Sequence, residues 1–168
     1  SPIQFRGTRL LQSVLGALSS SGLAPRRLEL EITENILLAE TETTLALLDQ
    51  LRELGVEIAM DDFGTGYSSL GYLQRFRFDK IKIDGSFIRQ VDTNEQAATI
   101  VRAVLGIGRG LGLPVLAEGV ETSGELSFLA KELCQIGQGY YLGRPSPLAD
   151  LNDDFLPAQE NASGVNAA

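Results

Sequence analysis

The sequence has no histidine, a single cysteine, and no unbroken apolar run of the length that crosses a bilayer. Without histidine, and with one thiol at Cys134, the usual nitrogen and sulfur ligands of a zinc centre are missing. One cysteine also excludes an internal disulfide framework and fits a reducing compartment, so Cys134 is expected to be a small buried apolar residue. No stretch of roughly 18 apolar residues and no signal-peptide pattern is present. A cytoplasmic location is therefore expected, with any membrane anchor lying on sequence other than this. Cations are scarce as well: 14 Lys and Arg face 22 Asp and Glu, a net charge of -8. That balance argues against DNA binding through a general basic field, and an anionic ligand would need local help such as metal ions.

What is present is enough for one sizeable core, since 43% of the 168 residues are apolar. The first residues, Ser1-Pro2, lack an initiator Met and run straight into loop-like and helical sequence, which suggests a piece cut from something longer. Residues 1–150 read as one domain or most of one, and 151–168, rich in Asn, Asp, Ala and Ser, as a flexible tail.

The body alternates helix-period segments with short apolar runs, the pattern of a parallel sheet wrapped by helices. Strands are expected at Arg27 to Thr33, Val56 to Asp61, Lys80 to Asp84, Val115 to Ala117 and Gly137 to Leu142. Helices are expected over Thr8 to Gly22, around Leu45 to Leu54, near Leu70 to Arg75, after a Thr93/Gln96 capping box, and after a Thr122/Glu125 capping box. Five strands, each but the last followed by a helix, favour a (β/α) barrel, whose complete form needs roughly 250 residues. The fold class is accordingly α/β, a TIM-like barrel lacking about its first three strands. An open doubly-wound sheet gives the same alternation and stands as the rival architecture.

The charges fall in an informative place. Glu31, Asp61, Asp62, Lys82, Asp84, Glu118 and Glu121 all lie at the downstream ends of expected strands, the catalytic face of such barrels. If Leu28, Leu30, Ile32, Ile81 and Ile83 face the helices, alternation sends Glu29, Glu31, Lys82 and Asp84 toward the barrel interior or its mouth. Ionised groups there need partners or metals. Clustered carboxylates suit Mg²⁺ or Mn²⁺, and a double Asp such as Asp61-Asp62 can flank a metal pair about 3.5 to 4 Å apart that activates water against a phosphodiester. Lys82 could donate to the attacking water or a phosphate oxygen, or simply pair with Asp84 or Asp61. The Gly64 to Ser69 segment could cradle a phosphate or be a tight turn. A metal-dependent hydrolase or lyase follows, and an enolase-like proton abstraction would use the same residue types.

Five segments, in order and spacing, resemble the EAL domain family. They are Glu31-Ile32-Thr33-Glu34, Asp61-Asp62-Phe63-Gly64-Thr65-Gly66-Tyr67-Ser68-Ser69, Lys82-Ile83-Asp84, Ala117-Glu118-Gly119-Val120-Glu121 and Gln138-Gly139-Tyr140. The resemblance runs from Ser1 to about Pro147. It implies a barrel that hydrolyses cyclic di-GMP to linear pGpG with two Mg²⁺ or Mn²⁺ ions, lowering a bacterial second messenger of biofilm and motility control. By position, Glu31, Asp61, Asp62 and Glu118 match metal ligands, and Lys82 and Glu118 the catalytic pair, with Lys82 helping to hold the nucleophilic water. Gln138 matches a substrate-side residue and Glu34 a carboxylate steadying the loop after Asp62. Glu121 matches a second loop-supporting position, and Asp84 a motif position of uncertain role.

The family's naming Glu-Ala-Leu motif, its following Arg and a ligand Asn lie upstream of the matched region, with Ser1 resembling the Ser of an Asn-x-Ser motif. The chain by itself is therefore expected to be inactive. A degenerate receptor that binds cyclic di-GMP without hydrolysing it is the alternative. The resemblance further implies a homodimer, with an upstream sensor or GGDEF-type domain as a possible companion. Arg77 and Leu133 depart from the family where Pro and a helix-ending Gly are common.

Overall fold

The computed structural model describes residues 9–33, 36, 42–65 and 70–147. Among them, five parallel strands make one sheet: β1 (Glu29–Thr33), β2 (Glu57–Phe63), β3 (Lys80–Ile83), β4 (Val115–Ala117) and β5 (Ile136–Gly137). Each strand pairs with its neighbours in chain order, β1-β2-β3-β4-β5. A doubly-wound sheet reverses its strand order at a switch point, whereas a barrel adds strands successively. The rival open architecture is thereby excluded, and the strands form an arc of a (β/α) barrel. The expected tail at 151–168, Glu34 and Gly66 to Ser69 lie outside the described residues.

Helices α1 (Arg9–Ser21), α2 (Glu42–Glu53), α3 (Leu70–Arg75), α4 (Gly85–Ile88), α5 (Glu95–Leu111) and α6 (Ser123–Lys131) alternate with the strands. Their apolar stripes meet the outward side chains of the sheet. Leu47, Leu48 and Leu51 of α2 and Ala98, Val101, Val104 and Leu105 of α5 join Ile58, Met60, Ile81, Ile83 and Val115 in one buried cluster. Each such fully buried aliphatic side chain contributes roughly 1.5–3 kcal/mol. Burying Ile81 and Ile83 outward turns Lys82, between them, to the opposite face, as strand alternation requires.

Among the element boundaries that differ from the sequence reading, four have a clear local reason. β1 starts at Glu29 because Pro25–Arg27 form a 3-10 turn, with Leu28 N–H donating to Pro25 O at 2.9 Å. β2 runs on to Phe63 through a register shift between Met60 and Phe63. The cap of α5 is Asn94, whose side chain accepts from Gln96 and Ala97 N–H, and not Thr93. Thr93 is engaged in the preceding turn, its hydroxyl donating to Gln90 O. β5 is two residues long because the chain turns at Gly139, with Leu142 and Gly143 N–H both donating to its carbonyl.

The Thr122/Glu125 capping box is present at the start of α6. Beyond that helix, Leu133 has φ +61° and 73% exposure, the left-handed position that glycine fills at lower cost. Cys134 is half-buried against the core.

Candidate metal centre

Strand ends β1, β2, β3 and β4 bring four carboxylates and one ammonium together. Lys82 Nζ, 4% exposed, lies 2.6 Å from Glu31 Oε1, 3.0 Å from Asp61 Oδ1 and 2.7 Å from Glu118 Oε1. The register explains the convergence: Glu31 sits beside Ala59, whose small side chain leaves room over β2, and Lys82 beside Leu116, one strand from Glu118. One layer below, Lys80 pairs with Glu29 in the same manner.

Neighbouring residues of a strand point to opposite faces, so Asp61 and Asp62 should diverge. They do not, because the register of β2 shifts there and Asp62 takes a left-handed conformation with φ +53°. Thr65 steadies the turn, its N–H and hydroxyl both donating to Asp62 O at 3.2 and 2.9 Å. As a result Asp61, Asp62 and Glu118 each offer a carboxylate oxygen within 4.8 Å of the others. Glu31 stands outside that triangle and joins the site through Lys82.

The electrostatics are unbalanced. Burial alone would lower the Lys82 ammonium, but the carboxylates of Glu118, Glu31 and Asp61 against it outweigh that and hold the group above the ordinary lysine value. Burial pushes the Asp62 carboxyl up, with the charges of Asp61, Asp84 and Glu31 adding to it and Lys82 opposing. Asp61 Oδ1 is buried and forms an ion pair with Lys82 Nζ at 3.0 Å, with no regular hydrogen bond. A buried carboxylate oxygen without a regular hydrogen bond, beside two further carboxylates, is a donor set that suits a hard divalent cation. The residues present therefore fit such an ion, with Asp61, Asp62 and Glu118 as its holders.

The remaining expected residues fall as follows. Asp84 is past the end of β3, where its side chain accepts from Ser86 N–H and caps α4, so it is not an inward-pointing strand residue. Gln138 follows β5 and lines a cavity of about 260 Å³ with Glu118, Gly119, Glu121, Gly139 and Tyr140. The Glu121 side chain is exposed and makes no hydrogen bond or ion pair among the described residues. Support for its loop comes instead from Glu125, a buried carboxylate that the sequence marked only as half of a capping box. The loops after β3 and β4 also touch through two glycines: a Cβ on Gly119, where φ is +67°, would lie 3.1 Å from Gly85 Cα.

Residues 1–145 match the family model of the EAL domain. Cyclic di-GMP phosphodiesterase NbdA of Pseudomonas aeruginosa is 46% identical over 149 residues, covering 89% of this chain and 19% of NbdA. The bifunctional diguanylate cyclase/cyclic di-GMP phosphodiesterase MucR of the same organism is 43% identical over 151 residues, covering 90% of this chain and 22% of MucR. A solved complex of the PaMucR phosphodiesterase with c-di-GMP superposes with a TM-score of 0.83 at 43% identity, over 89% of this chain and 60% of that one. Klebsiella pneumoniae BlrP1, solved with manganese and c-di-GMP, gives a TM-score of 0.78 at 33% identity, over 84% of this chain and 36% of that one. The chain thus spans about a fifth of the length of these curated relatives. With the family model covering 1–145 and an arc of the barrel carrying the acidic rim, the chain belongs to the EAL domain family.

Proposed function

We propose that this domain hydrolyses cyclic di-GMP to linear pGpG in a two-metal reaction, with Mg²⁺ or Mn²⁺ held by Asp61, Asp62, Glu118 and Glu31. The observation that carries the reading is the cluster of Asp61, Asp62 and Glu118 carboxylates, in which Asp61 Oδ1 is buried and has no regular hydrogen bond. The relatives' names and the ligands in their solved complexes support the substrate and the class of ion. When bound, such ions neutralise the phosphodiester and acidify water.

The chain's own residues perform the rest. Lys82, fixed by Glu31, Asp61 and Glu118, presents a proton of its ammonium to the attacking water or to a phosphate oxygen as charge develops there. The water gives up one proton to a neighbouring carboxylate or to solvent as its oxygen bonds to phosphorus, the bond from phosphorus to the ribose 3′ oxygen breaks, and the leaving oxygen takes up a proton from solvent, so that one water is consumed. Gln138 and the cavity it lines with Glu121 and Tyr140 bind the substrate beside Glu118. Pairing with a second copy, a companion sensor or GGDEF-type domain, and a cytoplasmic setting belong to the same proposal. The name of the MucR relative supports the companion domain. No helix among the described residues is long and apolar enough to cross a membrane.

The test is incubation of the full gene product with cyclic di-GMP and Mg²⁺ or Mn²⁺. Linear pGpG is expected; substrate retained intact in a tight complex would mark the non-catalytic receptor instead. The 168-residue chain alone is expected to be silent, because β1 and β5 of its described sheet each lack an outer neighbour. Metal-dependent turnover by that chain would contradict this.

A further inference from the structure

We propose that Glu125 is a positioning residue that fixes where Glu118 stands, by fastening the loop after β4 to the turn after α4. The inference rests on the metal-centre reading and deepens it. Glu125 is 5% exposed, and its carboxylate accepts from three backbone N–H groups. Oε2 takes Glu121 N–H at 2.7 Å and Thr122 N–H at 3.0 Å, while Oε1 takes Gln90 N–H at 3.4 Å. A capping box accounts for the Thr122 bond alone. The bond to Glu121 is the shortest of the three, and Gln90 lies 35 residues upstream in a left-handed conformation with φ +62°.

The other side of the loop is held by the turn that follows β5. Val120 N–H donates to Gln138 O, and Val120 O accepts from Tyr141 N–H, each at 3.0 Å. Gly119, the left-handed hinge between Glu118 and this clamp, presses on Gly85 at the start of α4. Glu118 leaves β4 through that hinge, with its N–H on Ile83 O at 3.1 Å and its carboxylate 2.7 Å from Lys82 Nζ. Removing the Glu125 carboxylate strips the acceptor from three amides and frees the loop to rotate about Gly119. Glu118 then loses its place beside Asp61 and Asp62. Groups that orient metal ligands from behind typically carry a 10- to 100-fold effect on metal affinity.

The experiment uses the full gene product, titrated with Mn²⁺ and followed by the paramagnetic resonance of free Mn²⁺ at a temperature where circular dichroism shows each variant folded. Amide hydrogen exchange is measured in parallel. Glu125→Ala is expected to raise the Mn²⁺ Kd about 10- to 100-fold and to speed exchange at Gln90, Glu121 and Val120. Glu125→Gln keeps one acceptor oxygen, so Kd returns to within about threefold of the parent while Gln90 alone exchanges faster. Thr122→Ala removes the opposite half of the capping box and lowers the melting temperature, but leaves Kd unchanged.

A folded Glu125→Ala with an unaltered Kd, or a Thr122→Ala that weakens Mn²⁺ equally, overturns the proposal. If the parent chain takes up no Mn²⁺, the metal-centre reading fails, and the exchange data decide for Glu125. Faster exchange confined to the first turn of α6 would then sink it, while faster exchange at Gln90 and Val120 would sustain it. Should Glu125→Ala not fold, unchanged exchange at Gln90 in Glu125→Gln is the overturning result.

Discussion

Replacing Lys82 with methionine keeps the apolar stem and removes the one ammonium that Glu31, Asp61 and Glu118 share at 2.6, 3.0 and 2.7 Å. Stripping one partner from a fully buried ion pair costs about 3–5 kcal/mol, whereas exposed pairs are worth less than about 1 kcal/mol. Here the ammonium is 4% exposed while its partners are 47%, 20% and 22% exposed, so the loss falls between those limits. An intermediate value of about 2 kcal/mol corresponds to a thermal midpoint roughly 6 °C lower in metal-free buffer.

Divalent cations reverse the penalty. Without the ammonium, the carboxylates of Glu31, Asp61, Asp62 and Glu118 meet no competing positive charge from Lys82, so Mn²⁺ binds the variant more tightly than the parent. A ligand at one hundred times its Kd contributes about 2.7 kcal/mol, enough to offset the loss. Differential scanning fluorimetry in EDTA and along a Mn²⁺ series, at one protein concentration, reads both effects. The reasoning is refuted if the EDTA midpoint of Lys82→Met equals or exceeds that of the parent, or if Mn²⁺ raises the variant's midpoint by less.

Two further outcomes follow from the packing. In Gly108→Ala the new methyl meets the side chain of Val115 and the carbonyl of Leu113 where α5 lies on β4; a loss of about 2 kcal/mol in urea unfolding is expected, and an unchanged midpoint would show that the contact relaxes freely. Burial pushes the Cys134 thiol above its ordinary value of 9.0, so iodoacetamide at pH 8 should label it more slowly than free cysteine. The stability this group contributes is complete below that ordinary value and is lost as the pH climbs past it, since the unfolded thiol ionises first. Labelling as fast as free cysteine would contradict the burial.

The acidic rim was legible because strand alternation has period two: once Ile81 and Ile83 are outward, Lys82 must be inward, and the same holds for Glu31 beside Ile32. The double Asp marked Asp62 as a residue that could flank a metal, but strand alternation did not show how it reaches the site. Simple alternation turns it away from Asp61, and the register shift of β2 against β3 together with a left-handed backbone at Asp62 brings the two carboxylates together. Capping shows the same division. Thr122 and Glu125 form a box that their spacing announces, yet the bond from Gln90 to Glu125 depends on how α4 packs and leaves no trace in local sequence. Thr93 lost its expected role to Asn94 because a turn had already engaged its hydroxyl. The overlong reading of β5 has a like cause, since Gly139 lies against the backbone of Val120 and its carbonyl accepts the turn bonds from Leu142 and Gly143 N–H.

The convergence of side chains from separate strands on divalent cations is tested most directly by anomalous scattering from crystals soaked in Mn²⁺. A peak within coordination distance of Asp61 Oδ1, flanked by Asp62 and Glu118, is the result predicted. A Mn²⁺ peak at some other acidic cluster, with Asp61 Oδ1 left bare, would contradict it.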